Sequence, residues 1–109
     1  MQLRPLITSL IALAGSCAVH AQPEPTIADA HRAHYLGQPL QALALYERLA
    51  ATGNHEAAEF AGFLLLRRAG TCSTRSVGDA DRAAALLLQA ARAGRPVAGG
   101  LLNLLDNTD

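Results

Sequence analysis

The sequence contains no lysine and no tryptophan, and its only aromatic side chains are two tyrosines and two phenylalanines. All nine basic residues are therefore arginines, and nine acidic residues balance them, so that the formal net charge is zero. No basic run occurs in the chain. Since proteins that bind nucleic acids carry a basic patch or stripe that neutralises phosphates, this balance argues against a nucleic-acid partner.

Residues that prefer strands are also scarce, and no segment of useful length alternates apolar and polar residues. Leucine and alanine dominate instead, and both favour helices. The sequence therefore predicts an all-α protein. A chain of 109 residues holds one domain at most once a targeting segment is subtracted.

The N-terminus has the three-part pattern of a secretory signal peptide. Arg4 provides a basic start, residues 6–14 are apolar, and Val19 and Ala21 are the small residues before a cut after residue 21. The apolar run is shorter than the roughly 20 residues that a membrane-spanning helix needs. We therefore expect export to the periplasm or beyond, with a signal peptide over residues 1–21, a linker over 22–26 and a helical domain over 27–107.

The two cysteines leave the mode of export open. Cys17 follows small residues that loosely resemble a lipobox, although Ala14 stands where leucine is favoured, so lipidation of Cys17 is the alternative to soluble release. Cleavage after residue 21 leaves only Cys72, and a lipidated Cys17 would have its sulfur blocked, so in either case one free cysteine cannot form an internal disulfide. Cys72 is therefore either an unpaired thiol or half of an intermolecular disulfide.

Apolar spacing and capping residues predict five helices. Thr26 is the predicted N-cap of the first helix, Pro39 and Pro96 open the second and fifth, and Asp79 is the predicted cap of the fourth. The first three cover about residues 27–36, 39–52 and 55–68, and a polar loop over 70–78 follows them. Since the third helix is apolar nearly all round, it is predicted to be the central one.

The chain repeats itself at a constant offset of 41 residues, so that residues 41–64 match residues 82–105. Gly53 and Gly94 are matched in this way, and both fall at predicted helix–helix turns, which an alanine-rich composition alone would not produce. A repeat of this length is typical of solenoids, whose units bury their faces by stacking. The other identical pairs are Ala42/Ala83, Ala44/Ala85, Leu45/Leu86, Ala50/Ala91, Ala57/Ala98 and Leu64/Leu105.

The repeated pattern resembles the SEL-like repeat, a relative of the tetratricopeptide repeat. The resemblance implies a short right-handed α-α solenoid of about two repeats with a concave binding face, and it implies no catalytic residue. Leucine stands where that family has a tryptophan and most of its tyrosines. The motif is carried by Ala42, Leu45-Tyr46, Leu49-Ala50, Gly53, Ala57 and Ala61-Gly62-Phe63, and again by Ala83, Leu86-Leu87, Ala90-Ala91, Gly94 and Ala98.

The function predicted from this pattern is non-catalytic protein binding by an exported adaptor or scaffold of a bacterial envelope. Two alternatives stay open: a small periplasmic inhibitor or immunity-type protein, and a lipid-anchored accessory component of an envelope assembly. Neither a cofactor nor a small-molecule substrate is expected. The predicted partner-binding residues are Tyr46, Phe63, Leu66, Leu88 and Leu104, and the last two are also predicted to support self-association because they fall outside the inward-facing stripes.

The titratable residues suggest structural roles. His31 and His34 share one face of the first helix, but no further ligand completes the three or four that a zinc site needs, so no metal is predicted. Glu56 and Glu59 are predicted to stabilise the positive end of the third helix.

Overall fold

A computed structural model describes residues 23–71 and 77–107, which form five α-helices and no strand. The all-α fold and the five helices predicted from the sequence are confirmed. The proposed signal peptide, Cys17 and Cys72 lie outside the described residues. The helices are α1 (Ile27–Tyr35), α2 (Pro39–Ala51), α3 (His55–Thr71), α4 (Val77–Arg92) and α5 (Pro96–Asp106).

The first helix begins with the predicted cap. The Thr26 hydroxyl accepts the N–H of Asp29 at 3.3 Å, and the Asp29 carboxylate accepts the N–H of Thr26 at 2.8 Å. This reciprocal arrangement is a capping box. Hydrogen bonds from the Thr26 backbone and hydroxyl to the carboxylate lower the pKa of Asp29 below its ordinary value.

The boundary between α3 and α4 differs from the prediction. α3 continues to Thr71, beyond the expected start of a loop at Gly70, and α4 already begins at Val77. Asp79 therefore lies in the first turn of α4 instead of capping it, with its carboxylate oxygens 3.7 Å from Nε of Arg68 and 3.5 Å from Nη1 of Arg82. One helical glycine costs only about 1 kcal/mol, so the packing of α3 on α4 can extend α3 past Gly70.

Three of the helix–helix turns share one geometry, which ends α1, α2 and α4. Gly37, Gly53 and Gly94 have φ values of +74°, +99° and +90°, a region that L-residues with a side chain rarely adopt. At Gly53 the glycine N–H donates to the carbonyl of the residue three positions earlier at 3.0 Å. The N–H of the next residue donates to the carbonyl five positions before it, also at 3.0 Å. The same two bonds at Gly94 measure 2.9 and 3.1 Å. Both are Schellman turns, and the predicted equivalence of Gly53 and Gly94 is confirmed.

The helices pack in sequential order, with α1 on α2, α2 on α3, α3 on α4 and α4 on α5. α3 also contacts α5, which confirms the prediction that it is the central helix. Side chains join helices that are two apart in sequence: His31 of α1 pairs with α3, Arg82 of α4 pairs with α2, and Arg95 at the N-cap of α5 pairs with α3.

The core consists mainly of small side chains. Ten of the fifteen buried apolar residues that the structure describes are alanines, which lets the helix backbones approach closely. Tyr46, Leu65 and Leu87 are the largest side chains with no accessible surface. Gly62 of α3 faces Leu87 of α4 so closely that a methyl group at position 62 would lie 2.6 Å from its Cγ.

Candidate functional site

A cleft of about 680 Å³ opens where the end of α1, the start of α2 and the end of α3 meet. The Schellman turn at Gly37 sets the direction in which α2 leaves α1, and Pro39 opens α2 at its first turn. The floor is apolar and the rim carries basic side chains, so we call it the basic cleft. It is lined by His34, Gly37, Pro39, Leu40, Leu43, Leu64, Arg67 and Arg68.

One large exposed apolar side chain, Leu40, lines the basic cleft, and two more, Tyr35 and Leu36, lie in the chain between its lining residues His34 and Gly37. Tyr35 retains 91% of its accessible surface, Leu36 66% and Leu40 67%. α1 turns its buried face, with Ala30 and Ala33, towards the core, and Tyr35 falls on the opposite side at the end of the helix. Exposed apolar residues are ordinary one at a time, but three of them within six positions of the chain, one of which lines a cleft, form a candidate interaction surface.

Two arginines of α3 form the far rim. The guanidinium of Arg67 lies over the ring of Phe63 at 5.7 Å from its centroid, a cation–π distance that links Phe63 to the cleft. Nε of Arg68 lies 3.7 Å from the carboxylate of Asp79 on α4. His34 approaches from α1, and no carboxylate is among the lining residues. The two arginines therefore give the lining residues a formal charge of +2, which Asp79 beside Arg68 offsets in part.

A hydrogen-bonded cluster joins α1, α2 and α3 beside the core. Nδ1 of His31 lies 2.6 Å from the Tyr46 hydroxyl, and Nε2 lies 3.1 Å from a carboxylate oxygen of Glu56. Since a carboxylate only accepts, Nε2–H donates to Glu56, and in the neutral imidazole Nδ1 accepts from Tyr46. The Phe60 ring completes the cluster. Its centroid lies 4.8 Å from that of the His31 ring in an edge-to-face arrangement and 5.2 Å from that of the Tyr46 ring in a stacked arrangement.

The prediction that Tyr46 contacts a partner is wrong. Its side chain has no accessible surface, because α1 and α3 enclose it and His31 binds its hydroxyl. Burial, and secondarily the negative charge of Glu56, raise the pKa of Tyr46 above its ordinary value. Tyr46 therefore contributes to the stability of the fold and to the position of α1.

Glu59 has a different role from the one predicted, because it lies in the second turn of α3 and is buried. At the start of α3 the Asn54 side chain accepts the N–H of Ala57 at 2.9 Å. The matching cap position of α5 holds Arg95, which cannot accept. Glu59 supplies the missing acceptor, since its carboxylate accepts the N–H of Ala98 at 3.1 Å and binds Arg95 at 2.9 Å, and this second bond raises the pKa of Arg95.

The other predicted partner-binding residues are dispersed. Leu104 is well exposed, Phe63 and Leu88 are exposed to a smaller degree, and Leu66 is half-buried against the core. Phe63 alone lies close to the basic cleft, through Arg67. Binding by these four residues stays a prediction.

The described residues contain few groups suited to other chemistry. Across residues 23–71 and 77–107, no three His, Cys, Asp or Glu side chains lie close enough together to hold a metal ion, and both ring nitrogens of His31 already have partners. Within the same ranges, no helix combines the length and apolarity needed to cross a membrane.

The chain was compared with protein-family models, with curated proteins and with solved structures, and none of them matches it.

Sequence reasoning did not identify the residues of the basic cleft as binding residues. The signal was present in the chain, because Tyr35-Leu36 directly precedes a turn glycine and Arg67-Arg68 is the only arginine pair. What the sequence does not show is that the end of α1 and the end of α3 line the same cleft.

Proposed function

We propose that this protein is an exported, non-catalytic interaction module that binds a protein partner through the basic cleft. The observation that carries the proposal is a cleft of about 680 Å³ lined by the exposed Leu40, with the exposed Tyr35 and Leu36 next to its lining residues His34 and Gly37 in the chain. Covering one such side chain contributes about 1.5–3 kcal/mol relative to leaving it in water. Tyrosine and arginine are also the residue types that most often dominate binding energy at protein interfaces.

A SEL-like solenoid is the architecture we propose for this module. Its support is the recurrence of the same Schellman turn at Gly53 and Gly94, and the side-chain contacts that join each helix to the helix two further along. In stacked helical repeats each unit buries its face against its neighbours in this way. The cleft would then lie at one edge of the stack, where loops and helix ends meet.

Export to the periplasm or beyond is proposed from the signal-peptide pattern in residues 1–21. Mass spectrometry of the mature N-terminus tests it, and we expect the chain to start at Gln22. A lipidated start at Cys17 would assign the protein to the envelope membrane instead, and an intact Met1 on the cytoplasmic protein would refute export.

Partner binding is tested by comparing two sets of surface variants as bait in extracts of the periplasm. Replacement of Tyr35, Leu36 and Leu40 with serine removes the apolar edge of the basic cleft. Replacement of Leu88 and Leu104 with serine is the control for the cleft, and it also tests these two residues, which the sequence predicts as binding residues at the end of the repeat. Helical circular dichroism verifies that each variant folds.

We expect quantitative mass spectrometry to recover a discrete protein with the parent and the control and to lose it with the triple variant. Loss with the Leu88 and Leu104 variant only would place binding at the end of the repeat. An unchanged set of bound proteins with the triple variant would refute the proposal.

A further inference from the structure

We propose that the basic cleft binds a short segment of the partner that combines an apolar side chain with carboxylates. This inference rests on the proposed function, since it names the chemistry of the partner that the cleft would bind. Three properties of the cleft lead to it: its size, its apolar floor and the sign of its charge.

The size suits a short segment. Pockets that bind compact ligands have volumes of roughly 300–1,000 Å³, and the basic cleft, with about 680 Å³, lies within that range. The space accommodates a few side chains with their backbone and is too small for a packed helix pair. A terminus or an exposed loop of the partner therefore fits better than an extended surface.

The floor selects an apolar side chain. Pro39, Leu40, Leu43 and Leu64 contribute it from two helices, and Leu43 and Leu64 are already buried in the core. Since those two side chains are held in place by the core, the floor is formed before a partner arrives. Leu40 is exposed beside them and gains most from being covered.

The rim selects negative charge. Arg67 and Arg68 give the lining two permanent positive charges, and no acidic residue lines the cleft, although Asp79 beside Arg68 offsets part of the charge of that arginine. The chain as a whole is neutral, so this positive charge is a local feature. A guanidinium carries five N–H donors in a planar fork that matches a carboxylate. Each arginine can therefore bind a carboxylate of the partner while it keeps an existing neighbour. A basic segment would meet like charge, which disfavours its binding.

Arg67 offers the sharper test of the two arginines. Arg68 faces Asp79, so a glutamate at position 68 would place two carboxylates side by side and strain the contact between α3 and α4. Arg67 is exposed, and its guanidinium lies over the face of Phe63. Arg67→Glu reverses the charge at the rim, and Arg67→Gln removes that charge with little change in shape. Arg48→Glu on α2 is the control, because it reverses an exposed charge away from the cleft.

The experiment measures fluorescence anisotropy with three labelled peptides. The first alternates leucine and aspartate, the second has lysine at every aspartate position, and the third has serine at every leucine position. We expect the parent to bind the leucine–aspartate peptide most tightly, with an affinity that falls as salt screens the rim charges. Arg67→Glu should weaken this binding by at least about tenfold, a change of about 1.4 kcal/mol.

The charge swap gives the decisive result. Arg67→Glu should bind the lysine peptide better than the parent does. Arg67→Gln should bind the leucine–aspartate and the lysine peptide with similar affinity. Arg48→Glu should behave like the parent with every peptide. Equal binding of both leucine peptides by the parent would overturn the acidic specificity and leave the proposed apolar partner site intact. Lack of binding to every peptide would also overturn the inference, and the serine variants at Tyr35, Leu36 and Leu40 would then decide the proposed function separately.

Vesicles of phosphatidylglycerol provide a further arm, because a lipid headgroup also presents an anion beside apolar chains. Vesicle binding that depends on Arg67, combined with no peptide binding, would overturn the inference in favour of a membrane surface.

Discussion

A methyl group added at position 62 tests the close packing of α3 on α4. Gly62→Ala would place Cβ 2.6 Å from Cγ and 2.7 Å from Cδ2 of Leu87, and 3.3 Å from the carbonyl oxygen of Ala83. Carbon atoms pack best at about 3.5–4.0 Å, so Leu87 or the whole of α4 has to move by about 1 Å. Leu87 has no accessible surface and therefore cannot rotate into solvent.

The expected magnitude combines two opposing effects. Overpacking of a core typically costs about 1–3 kcal/mol, whereas alanine improves the helix propensity of a glycine position by about 1 kcal/mol. Gly100→Ala is the matched control, because position 100 is also helical but has no atom within 4 Å of an added Cβ. Both variants gain the same helix propensity, so the difference between their free energies of unfolding measures the cost of overpacking alone. We expect this difference to be about 1–3 kcal/mol.

Thermal and urea unfolding measure this difference. For a domain of this size 1 kcal/mol shifts Tm by about 4–8 °C, so we expect Gly100→Ala to melt above the parent and Gly62→Ala to melt below the control by several degrees. Similar stabilisation by both substitutions would show that α3 and α4 do not approach each other as described.

Three further substitutions test individual contacts by urea unfolding. Tyr46→Phe should lower the free energy of unfolding by about 1 kcal/mol. Because the pKa of Tyr46 in the folded protein is raised above 10.0, the tyrosine of the unfolded chain loses its proton first as the pH rises. The stability of the parent should therefore fall above about pH 10, and the variant should lack this part of the fall. Glu59→Ala leaves the buried N–H of Ala98 without its acceptor and should lower the free energy of unfolding by about 1–3 kcal/mol. Glu47→Ala, which removes a more exposed ion pair, should lower it by less than about 1 kcal/mol. Equal losses from the two variants would contradict a capping role for Glu59. Gly53→Val should lose more than about 1 kcal/mol because a β-branched residue resists positive φ, whereas Gly53→Asn should lose less, and a neutral valine variant would refute the turn.

The features that the sequence predicted correctly depend on neighbours in the chain. The capping box at Thr26, the prolines that open α2 and α5, and the turn glycines all act within one or two helical turns. The offset of 41 residues added Gly94 by analogy with Gly53. Such signals are local, and a single sequence therefore contains them in full.

The features that escaped prediction depend on contacts between distant segments. Glu59 was assigned to its own helix, but its partners Arg95 and Ala98 lie at the N-cap and in the first turn of α5. Tyr46 lies on an apolar stripe, and a stripe does not reveal whether a further helix will cover it; here α1 does so through His31. The basic cleft also needs three helix ends to meet, which no pattern along the chain specifies.

Photo-crosslinking in cells that export the protein tests partner binding at the basic cleft most directly. A benzophenone amino acid at Leu40 lies at the edge of the cleft, and the same group at Leu88 provides a control on α4. We predict one discrete crosslinked protein from position 40, absent from position 88, whose yield falls when Arg67→Glu is added. A discrete adduct from position 88 with none from position 40 would contradict the proposed site.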